Sequence, residues 1–433
     1  VDRVSVLYQH QIDGALWLAT RQHGRGLLGD VPGTGKTRTV IKALTNAGAQ
    51  RPLIISPAIA RSHWFAEAVA TETYEPAREI GVRSYEEIQR GGNRLMKQLL
   101  GESKYDALVL DEIHRLSHAT AKRTMQILGP DGYARRMPIV YGASGTPVPK
   151  NPSRLWTVLS ALFPRVAIKH GLARFEDFIE RFCTWEEQYI RGEWRRKFFA
   201  EIKNEAEFRE ILDEIMLRRT LDDLGLDVPE IDWQQMRLDS GELPDDINSK
   251  AAWGGPVLDL DHLEEVKHDP VVARMRRRLG ELKAPLVVEQ LASQLEDSDE
   301  KVVVFAHHRS VLETLRAGLG TFGVSYIDGD TTPHARDIAV TRFQAGTARV
   351  FIGQNIACME SLTLTAARRA VLVEPDWTAD VNLQLGKRIA RIGQRAEHVV
   401  VQMVVLAGTL DEGIVGQNQR EVRMADKIGL GRA

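Results

Sequence analysis

The sequence predicts an α/β chain of two parallel-sheet lobes in tandem, with a helical insertion after the first. Three observations carry that prediction. Short apolar runs ended by Gly, Pro or acidic residues recur in both halves, as in Leu108-Val109-Leu110 and Val302-Val303-Val304. Amphipathic helical patterns alternate with them, which is the rhythm of a parallel sheet. Between residues 165 and 235 that rhythm breaks. The expected boundaries are 1–164 for the first lobe, 165–235 for the insertion, 236–297 for a hinge and helical connector, and 298–433 for the second lobe.

Composition narrows the class. At 433 residues the chain is long enough to bury two ordinary cores. Apolar residues are 43% and charged residues 27%, the normal balance of a soluble globular protein. The formal net charge is -2, so a nucleic-acid track must be a local basic stripe on a near-neutral body. Cys183 and Cys358 are the only cysteines, which excludes a disulfide framework and a CxxC metal pattern and fits a reducing compartment. No stretch approaches the roughly 18 apolar residues of a membrane span, and the polar start carries no signal pattern. No membrane partner is expected. The chain opens on Val1 rather than methionine, as expected of a processed or excised piece.

The first lobe opens with Arg25-Gly26-Leu27-Leu28-Gly29-Asp30, then Val31-Pro32-Gly33-Thr34-Gly35-Lys36-Thr37. An amphipathic run follows through Arg38, Val40, Ile41, Ala43 and Leu44. A strand, a Gly-rich turn and a helix in that order suit a nucleotide phosphate. Backbone N–H groups of the turn, from Gly33 to Gly35, and of the helix N-terminus hold its oxygens. Lys36 reaches the terminal phosphates and Thr37 ligates Mg²⁺. The strict phosphate-loop pattern has glycine where Asp30 stands.

Ala107-Leu108-Val109-Leu110-Asp111-Glu112-Ile113-His114 reads as a buried strand with two acids at its C-terminal end. Asp111 would hold Mg²⁺, directly or through water, and Glu112 would polarise an attacking water. A plain strand and turn does not explain two adjacent acids there. With Lys36 they point to ATP hydrolysis. Pro52-Leu53-Ile54-Ile55-Ser56-Pro57 is another strand ended by proline, and Pro138 to Ala143 is a strand running into Ser144-Gly145-Thr146-Pro147. The hydroxyls of Ser144 and Thr146 suit sensing of a γ-phosphate, although such a segment is more often only a turn.

The insertion carries Phe175, Phe178, Phe182, Trp185, Trp194, Arg195, Arg196 and Lys197 on expected helices, then Leu217-Arg218-Arg219-Thr220. A nucleic-acid contact and a solvated charged face are both open there. Residues 240–256 are polar, with Gly, Pro and Asn, and read as a connector or disordered loop. Helical patterns follow at 269–283 and 285–296, with Arg276-Arg277-Arg278 read as a solvated face in preference to a phosphate contact. Strands are expected at 301–306, 324–327, 349–352, 370–373 and 398–405, with a helix at 310–319 and no phosphate-loop lysine. One sheet with a phosphate loop and one without would place a single nucleotide in the cleft between them. The second sheet must then supply cations. Gln384, Arg388, Arg391 and Gln394 fit, because Arg388 and Arg391 at i,i+3 share one helix face as an arginine-finger arrangement.

On these residues the chain resembles superfamily 2 helicases and, within them, the Snf2 family of DNA translocases, whose two lobes are RecA-like. The resemblance runs over nearly the whole chain. Asp30 through Thr37 is similar to that family's motif I, which also begins with Asp. Gln11, with Gly14 after it, resembles the adenine-side Gln motif. Pro57 and Trp64 resemble motif Ia, and Ser84-Tyr85-Glu86 the single-strand contact region that follows. Asp111-Glu112-Ile113-His114-Arg115 resembles the DEAH box, and Ser144 to Pro147 with Asn151 and Trp156 resembles motif III. Leu217-Arg218-Arg219-Thr220 and Pro229 resemble the segment before the hinge. In the second lobe, Phe305-Ala306-His307-His308 is similar to motif IV, with Asp328-Gly329-Asp330 and Arg336 next in order. Arg388 to Gln394 is similar to motif VI, and Gly408-Thr409-Leu410-Asp411-Glu412 to the usual ending. The compact middle and the wording at 305–308 resemble a short branch that includes the annealing helicase SMARCAL and bacterial or phage Snf2-like proteins. Motif V normally has glycine where Ser361 stands and Asn or Thr where Thr363 stands. Glu360 adds an acid to that loop, and Lys387 replaces the aspartate usual before Arg388.

The resemblance implies ATP and Mg²⁺ as cofactors. It implies nucleic-acid or coupling roles for Ser84, Ser144, Thr146, Arg218, Ser361 and Thr363, and a place for Gln394 beside the two arginines. The expected activity is DNA-stimulated ATP hydrolysis that drives translocation and remodels DNA or DNA–protein complexes. The expected track is double-stranded or branched DNA, held chiefly by its phosphates, with protein partners supplying specificity. The expected setting is cytoplasmic or nucleoid-associated, nuclear in a eukaryote, or phage-encoded. A strand-separating helicase, the motor subunit of a restriction, repair or phage complex, and an inactive scaffold are the alternatives.

Overall fold

Strands that are apolar along their whole length need cover on both faces, and the structure supplies it twice. In this computed structural model the described residues are 7–70, 80–101, 105–148, 151–190, 193–221, 223–225, 228–239, 244, 247, 269–359, 362–391 and 393–427. Glu360, Ser361 and most of the expected 240–256 connector lie outside them. The chain divides into two units, Val1–Leu226 with Glu421–Ala433, and Asp227–Arg420. Each carries a parallel RecA-like sheet, and a helical region separates the two sheets along the chain.

In unit 1 the strands are β1 (Arg25–Leu28), β2 (Pro52–Ser56), β3 (Gly81–Ser84), β4 (Ala107–Asp111), β5 (Ile139–Ala143), the pair β6 (Cys183–Ile190) and β7 (Glu193–Ile202), and β8 (Met216–Leu217). Six of them form one parallel sheet in the order β3-β2-β4-β5-β1-β8. Successive side chains point to opposite faces. Leu53, Ile55, Leu108, Leu110 and Val140 therefore join one core, and Ile54, Val82, Val109 and Tyr141 the other. The register sets the functional edge. Asp111 stands beside Ala143, Ala143 beside Leu28, and Leu28 beside Leu217. The residues that follow these four strands all leave the sheet at the same edge.

Between β5 and β8 the chain forms helices Trp156–Leu162, Pro164–Lys169, Phe175–Phe182 and Glu205–Ile215. Phe182 meets Phe178 and Phe208 edge to face, with ring centroids 5.2 and 5.3 Å apart, so this region extends the core of unit 1. One expectation is corrected here. Trp185, Trp194, Arg195, Arg196 and Lys197 lie on β6 and β7, an antiparallel hairpin, rather than on helices. Cross-strand chemistry explains it. The pairing sets Glu187 opposite Arg196, Glu186 opposite Lys197 and Tyr189 opposite Trp194, all favourable partners in a hairpin.

Unit 2 is built on β9 (Glu230–Leu238), β10 (Val302–Ala306), β11 (Val324–Ile327), β12 (Val350–Gln354), β13 (Arg369–Leu372) and β14 (His398–Leu406). They form a second parallel sheet in the order β11-β12-β10-β13-β14-β9. Val303, Phe305, Phe351 and Leu372 face one core, and Val302, Val304, Ile352 and Val371 the other. The edge strand β9 is not expected from the sequence, because most of its side chains are polar and exposed. Its nine-residue parallel ladder to β14 holds it.

The helical patterns at 269–283 and 285–296 form one helix, Pro270–Glu296, that runs through Pro285. Pro285 forfeits one backbone hydrogen bond, but Ala284, Val287, Leu291 and Leu295 are buried against the sheet and hold the helix together. Asp269 caps its start by accepting from the Val271 amide at 2.7 Å. The Arg276-Arg277-Arg278 run divides. Arg277 and Arg278 are solvated and pair with Glu281, whereas Arg276 is buried and donates to the Pro375 carbonyl at 3.0 Å. Among the described residues no helix is long and apolar enough to cross a membrane.

Candidate active site

The loop after β1 has the backbone of a phosphate cradle. Gly33 and Gly35 take φ of +100° and +79°, values that favour glycine. Gly35 ends the loop and caps the helix Lys36–Asn46, whose first N–H groups have no partner inside the helix. A Cβ on Gly33 would meet nothing within 4 Å, so the loop is open on that side. A Cβ on Gly35 would lie 2.2 Å from Gln11 Nε2. Gln11 is buried beneath the loop, where it donates to the Thr34 carbonyl at 3.2 Å and accepts from the Tyr8 amide at 3.1 Å. The Thr34 hydroxyl donates to the Val31 carbonyl at 3.0 Å. Thr37 occupies the first turn of the helix, directly after Lys36.

Lys36 Nζ donates to the carbonyls of Asp30 and Val31 at 2.9 and 3.2 Å. Burial lowers its pKa, against the pull of the Glu112, Asp30 and Asp111 carboxylates. The three acids are thus near enough to act on the lysine charge.

Asp111 and Glu112 follow β4 and are held differently. Trp64 Nε1 donates to Asp111 Oδ2 at 2.8 Å, and the Glu112 amide donates to Oδ1 at 3.1 Å. The Tyr85 hydroxyl donates to the Asp111 carbonyl at 2.7 Å. Burial, and then the Glu112 charge, push the Asp111 carboxyl above the usual range. For Glu112, burial also opposes ionisation, but the hydrogen bond and charge of His114, with Lys36 and Ser144, outweigh it and hold the carboxyl low. Glu112, His114 and Ser144 form a triangle. Ser144 Oγ donates to Glu112 Oε2 at 3.2 Å, His114 Nδ1 lies 2.8 Å from Ser144 Oγ, and the same nitrogen lies 3.2 Å from Glu112 Oε2. The Thr146 amide donates to Ser144 Oγ at 3.1 Å. Thr146 Oγ1 is buried without a hydrogen-bond partner among the described residues.

These residues fit a nucleotide with a divalent cation. Among the described residues, no three His, Cys, Asp or Glu side chains are grouped to hold a metal alone. Mg²⁺ beside phosphates needs only one or two carboxylates, with phosphate and water supplying the rest. Asp111 is a half-buried carboxylate whose ionisation a cation would favour.

Other sequence-picked residues of unit 1 are engaged within it. Ser84 is buried and caps the helix Tyr85–Gly101. Its hydroxyl accepts from the Glu87 amide at 3.1 Å, and Glu87 Oε2 accepts from the Ser84 amide at 3.0 Å. Arg218 Nη1 donates to the carbonyls of Gly29 at 2.6 Å and Gly145 at 3.3 Å.

In unit 2 the arginine segment differs from the expected shared helix face. The helix Ala379–Gly386 ends before Arg388, and residues 387–389 form turns in which the Arg388 and Ile389 amides donate to the Leu385 and Gly386 carbonyls at 3.0 and 3.2 Å. Arg388 is buried and bonded to backbone carbonyls. It donates from Nε to the Gln384 carbonyl at 3.0 Å, from Nη1 to the Leu362 carbonyl at 3.4 Å, and from Nη2 to the Met359 carbonyl. Arg391 donates to the Lys387 carbonyl at 3.2 Å and to the Thr363 hydroxyl at 3.2 Å, so two sequence-picked residues meet. Burial lowers the Arg391 pKa to about 10. Gln394 ties the turn together by donating to the carbonyls of Ala367 and Ile389 at 2.8 and 3.1 Å.

Sequence reasoning missed the structural part played by Trp64, Tyr85 and above all Arg219. Arg219 forms a bidentate ion pair with Asp30, at 2.5 Å from Nη2 to Oδ2 and 3.2 Å from Nε to Oδ1. The acid at the first place of the phosphate loop is the signal that a cation must lie nearby, but nothing local says which one.

Comparison with known proteins finds two domain matches. Residues 66–242 match the SNF2-related domain, and residues 283–393 the helicase conserved C-terminal domain. The chain is 27% identical over 455 residues to the SWI/SNF-related matrix-associated actin-dependent regulator of chromatin subfamily A-like protein 1 of Xenopus tropicalis, across 99% of this chain and 45% of that protein. It is 26% identical over 458 residues to the DNA annealing helicase and endonuclease ZRANB3 of Homo sapiens, across 98% of this chain and 40% of that protein. The solved Sulfolobus solfataricus SWI2/SNF2 ATPase core in complex with dsDNA aligns at 18% identity with a TM-score of 0.43, over 94% of this chain and 89% of that one. The chain spans about half the length of the curated relatives it matches. Its SNF2-related domain and its helicase C-terminal domain, in that order, make it a superfamily 2 chain with an Snf2-family ATPase/helicase domain.

Proposed function

We propose that the chain is a DNA-stimulated ATPase that translocates on duplex or branched DNA, of the short SMARCAL-like kind. The observation that carries this is the register of unit 1. It sets the ends of β1, β4, β5 and β8 side by side, so Lys36, Asp111, Glu112 and Ser144 share one edge in a chain with an SNF2-related domain.

The proposed chemistry follows from these groups. The loop N–H groups from Gly33 to Gly35 and the amides that open the helix bind phosphate oxygens. Lys36 exchanges the loop carbonyls for the terminal phosphates. Thr37 and Asp111 hold Mg²⁺, which supplies positive charge to the phosphates. Glu112, kept ionised by His114, orients and polarises the attacking water. Ser144 connects that carboxylate to the Thr146 loop and reports the state of the site.

ATP turnover measured with single-stranded, duplex and forked DNA tests the reading. Turnover should rise with DNA and fall at least about tenfold in Lys36→Ala and Glu112→Gln. Turnover that stays at background with every DNA overturns it. Triplex displacement without strand displacement identifies a duplex translocase, and the reverse identifies a strand-separating helicase.

A further inference from the structure

We infer that Arg219 is a positioning residue that registers the phosphate loop, by locking Asp30 to the chain segment that leaves unit 1 for unit 2. The backbone shows the pairing first. The Gly29 amide donates to the Leu217 carbonyl at 2.7 Å, and the Val31 amide to the Arg219 carbonyl at 3.2 Å. Residues 217–219 therefore run beside 29–31 as a continuation of the β1–β8 ladder. The start of the phosphate loop is in effect sheet, paired with the end of β8.

The side chains complete the lock. Asp30 is buried, and the Arg219 fork takes both of its oxygens. Arg219 Nη1 also donates to the His10 carbonyl at 2.7 Å, on the helix that carries Gln11. A Cβ on Gly14 would lie 2.6 Å from Arg219 Nη2, so that helix leaves room for the guanidinium by having no side chain there. Arg218 clamps Gly29 and Gly145 from the same dipeptide. Asp30 in turn offers its carbonyl to Lys36 Nζ. The path from Arg219 to the phosphate-binding lysine is thus a single residue long. A fork geometry is needed, because a lysine cannot take both carboxylate oxygens and the His10 carbonyl in one plane. Beyond Arg219, Thr220 and Asp223 close a turn: the Thr220 amide donates to Asp223 Oδ2 at 2.7 Å and the Asp223 amide to Thr220 Oγ1 at 3.2 Å.

The consequence for nucleotide binding rests on the proposed ATPase reading, whereas the loop geometry does not. The test is amide hydrogen exchange on the whole ligand-free chain, for wild type, Arg219→Gln, Asp30→Asn and the double variant. Exchange over residues 29–37 should rise in each single variant and rise no further in the double, while residues 107–111 of β4 keep their protection. Gly14→Ala, which crowds the guanidinium without removing a charge, should loosen the same loop. Unchanged exchange at 29–37, additive effects in the double variant, or loss of protection across β4 as well would each overturn the inference. ADP titration is the second arm. Arg219→Gln should weaken ADP about tenfold, with Arg219→Lys between it and wild type. Wild type that binds no ADP sinks the ATPase reading, and the exchange data then still decide the loop.

Discussion

Glu112 sits at φ 49° and ψ 54°, a left-handed conformation that costs a non-glycine residue about 1–3 kcal/mol. Three neighbours make that position worth holding. Its carboxylate accepts from Ser144 and stands beside His114, and its amide donates to Asp111 Oδ1. Ser144→Ala removes a donor to Glu112 without touching the phosphate loop. We expect kcat for ATP to fall about tenfold, with ADP affinity within about twofold of wild type, measured by steady-state turnover and ADP titration. An equal loss in both would place Ser144 in binding instead. A second residue pair tests the core of unit 2. Lys283 Nζ lies 2.8 Å from Asp411 Oδ2, with side-chain exposures of 1% and 5%. Asp411 also accepts from the Leu406 amide at 3.1 Å. Asp411→Ala removes the carboxylate paired with a buried ammonium and should cost about 3–5 kcal/mol in urea unfolding. Adding Lys283→Met to it should recover much of that loss.

Among the elements, the helix Tyr85–Gly101 poses a clean question. Ser84 resembles a nucleic-acid contact by motif, and it is the N-cap in a reciprocal box with Glu87. Ser84→Ala should cost about 1 kcal/mol of stability. If DNA stimulation of ATP turnover survives unchanged in that variant, capping accounts for the residue. The ends of β10 and β13 are joined by a single carboxylate. Glu374 Oε2 accepts from the His307 and His308 amides at 2.8 and 2.9 Å, and Oε1 from His308 Nδ1 at 2.6 Å. Burial opposes its ionisation, but the hydrogen bond and charge of His308, its amide and Lys283 outweigh that and lower the pKa below the ordinary 4.5. Because the folded value is the lower one, the contribution is complete above the unfolded value and is lost as pH falls through the folded one. Urea midpoints should therefore drop on acidification below 4.5, and Glu374→Gln should be less stable at neutral pH with a shallower acid limb. A parallel acid limb in both proteins would remove Glu374 from the account.

At the scale of the whole molecule, a net charge of -2 makes DNA binding a matter of local cations. Contacts to phosphates release counterions, so apparent DNA affinity should fall at least about tenfold between about 50 and 200 mM salt, alike for duplexes of different sequence. ATPase stimulation titrated with two unrelated duplexes at each salt checks this. A preference between them that survives high salt would indicate base readout. The Gly-rich loop, the acids after β4 and most strands of both sheets were legible in the sequence, because each is a local pattern of glycine, apolar run and terminal polar group. The hairpin was not, since Trp185 and Arg196 become neighbours only once the strands pair. The turn at Arg388 was not legible either. Its spacing from Arg391 suits a helix, but the helix ends at Gly386 and the Arg388 guanidinium bonds to the carbonyls of Met359 and Leu362, which lie far from it in sequence.

What residue order alone settled, then, is a tandem of parallel α/β lobes with a phosphate loop in the first. Only the folded chain decided which charges meet. Asp30 finds Arg219 at 189 positions' distance, Lys283 finds Asp411 at 128, and His308 finds Glu374 at 66. The physical reason is that backbone preferences and hydrophobic periodicity act within a few residues, whereas a buried ion pair is selected by the register of strands and the space left by small residues such as Gly14.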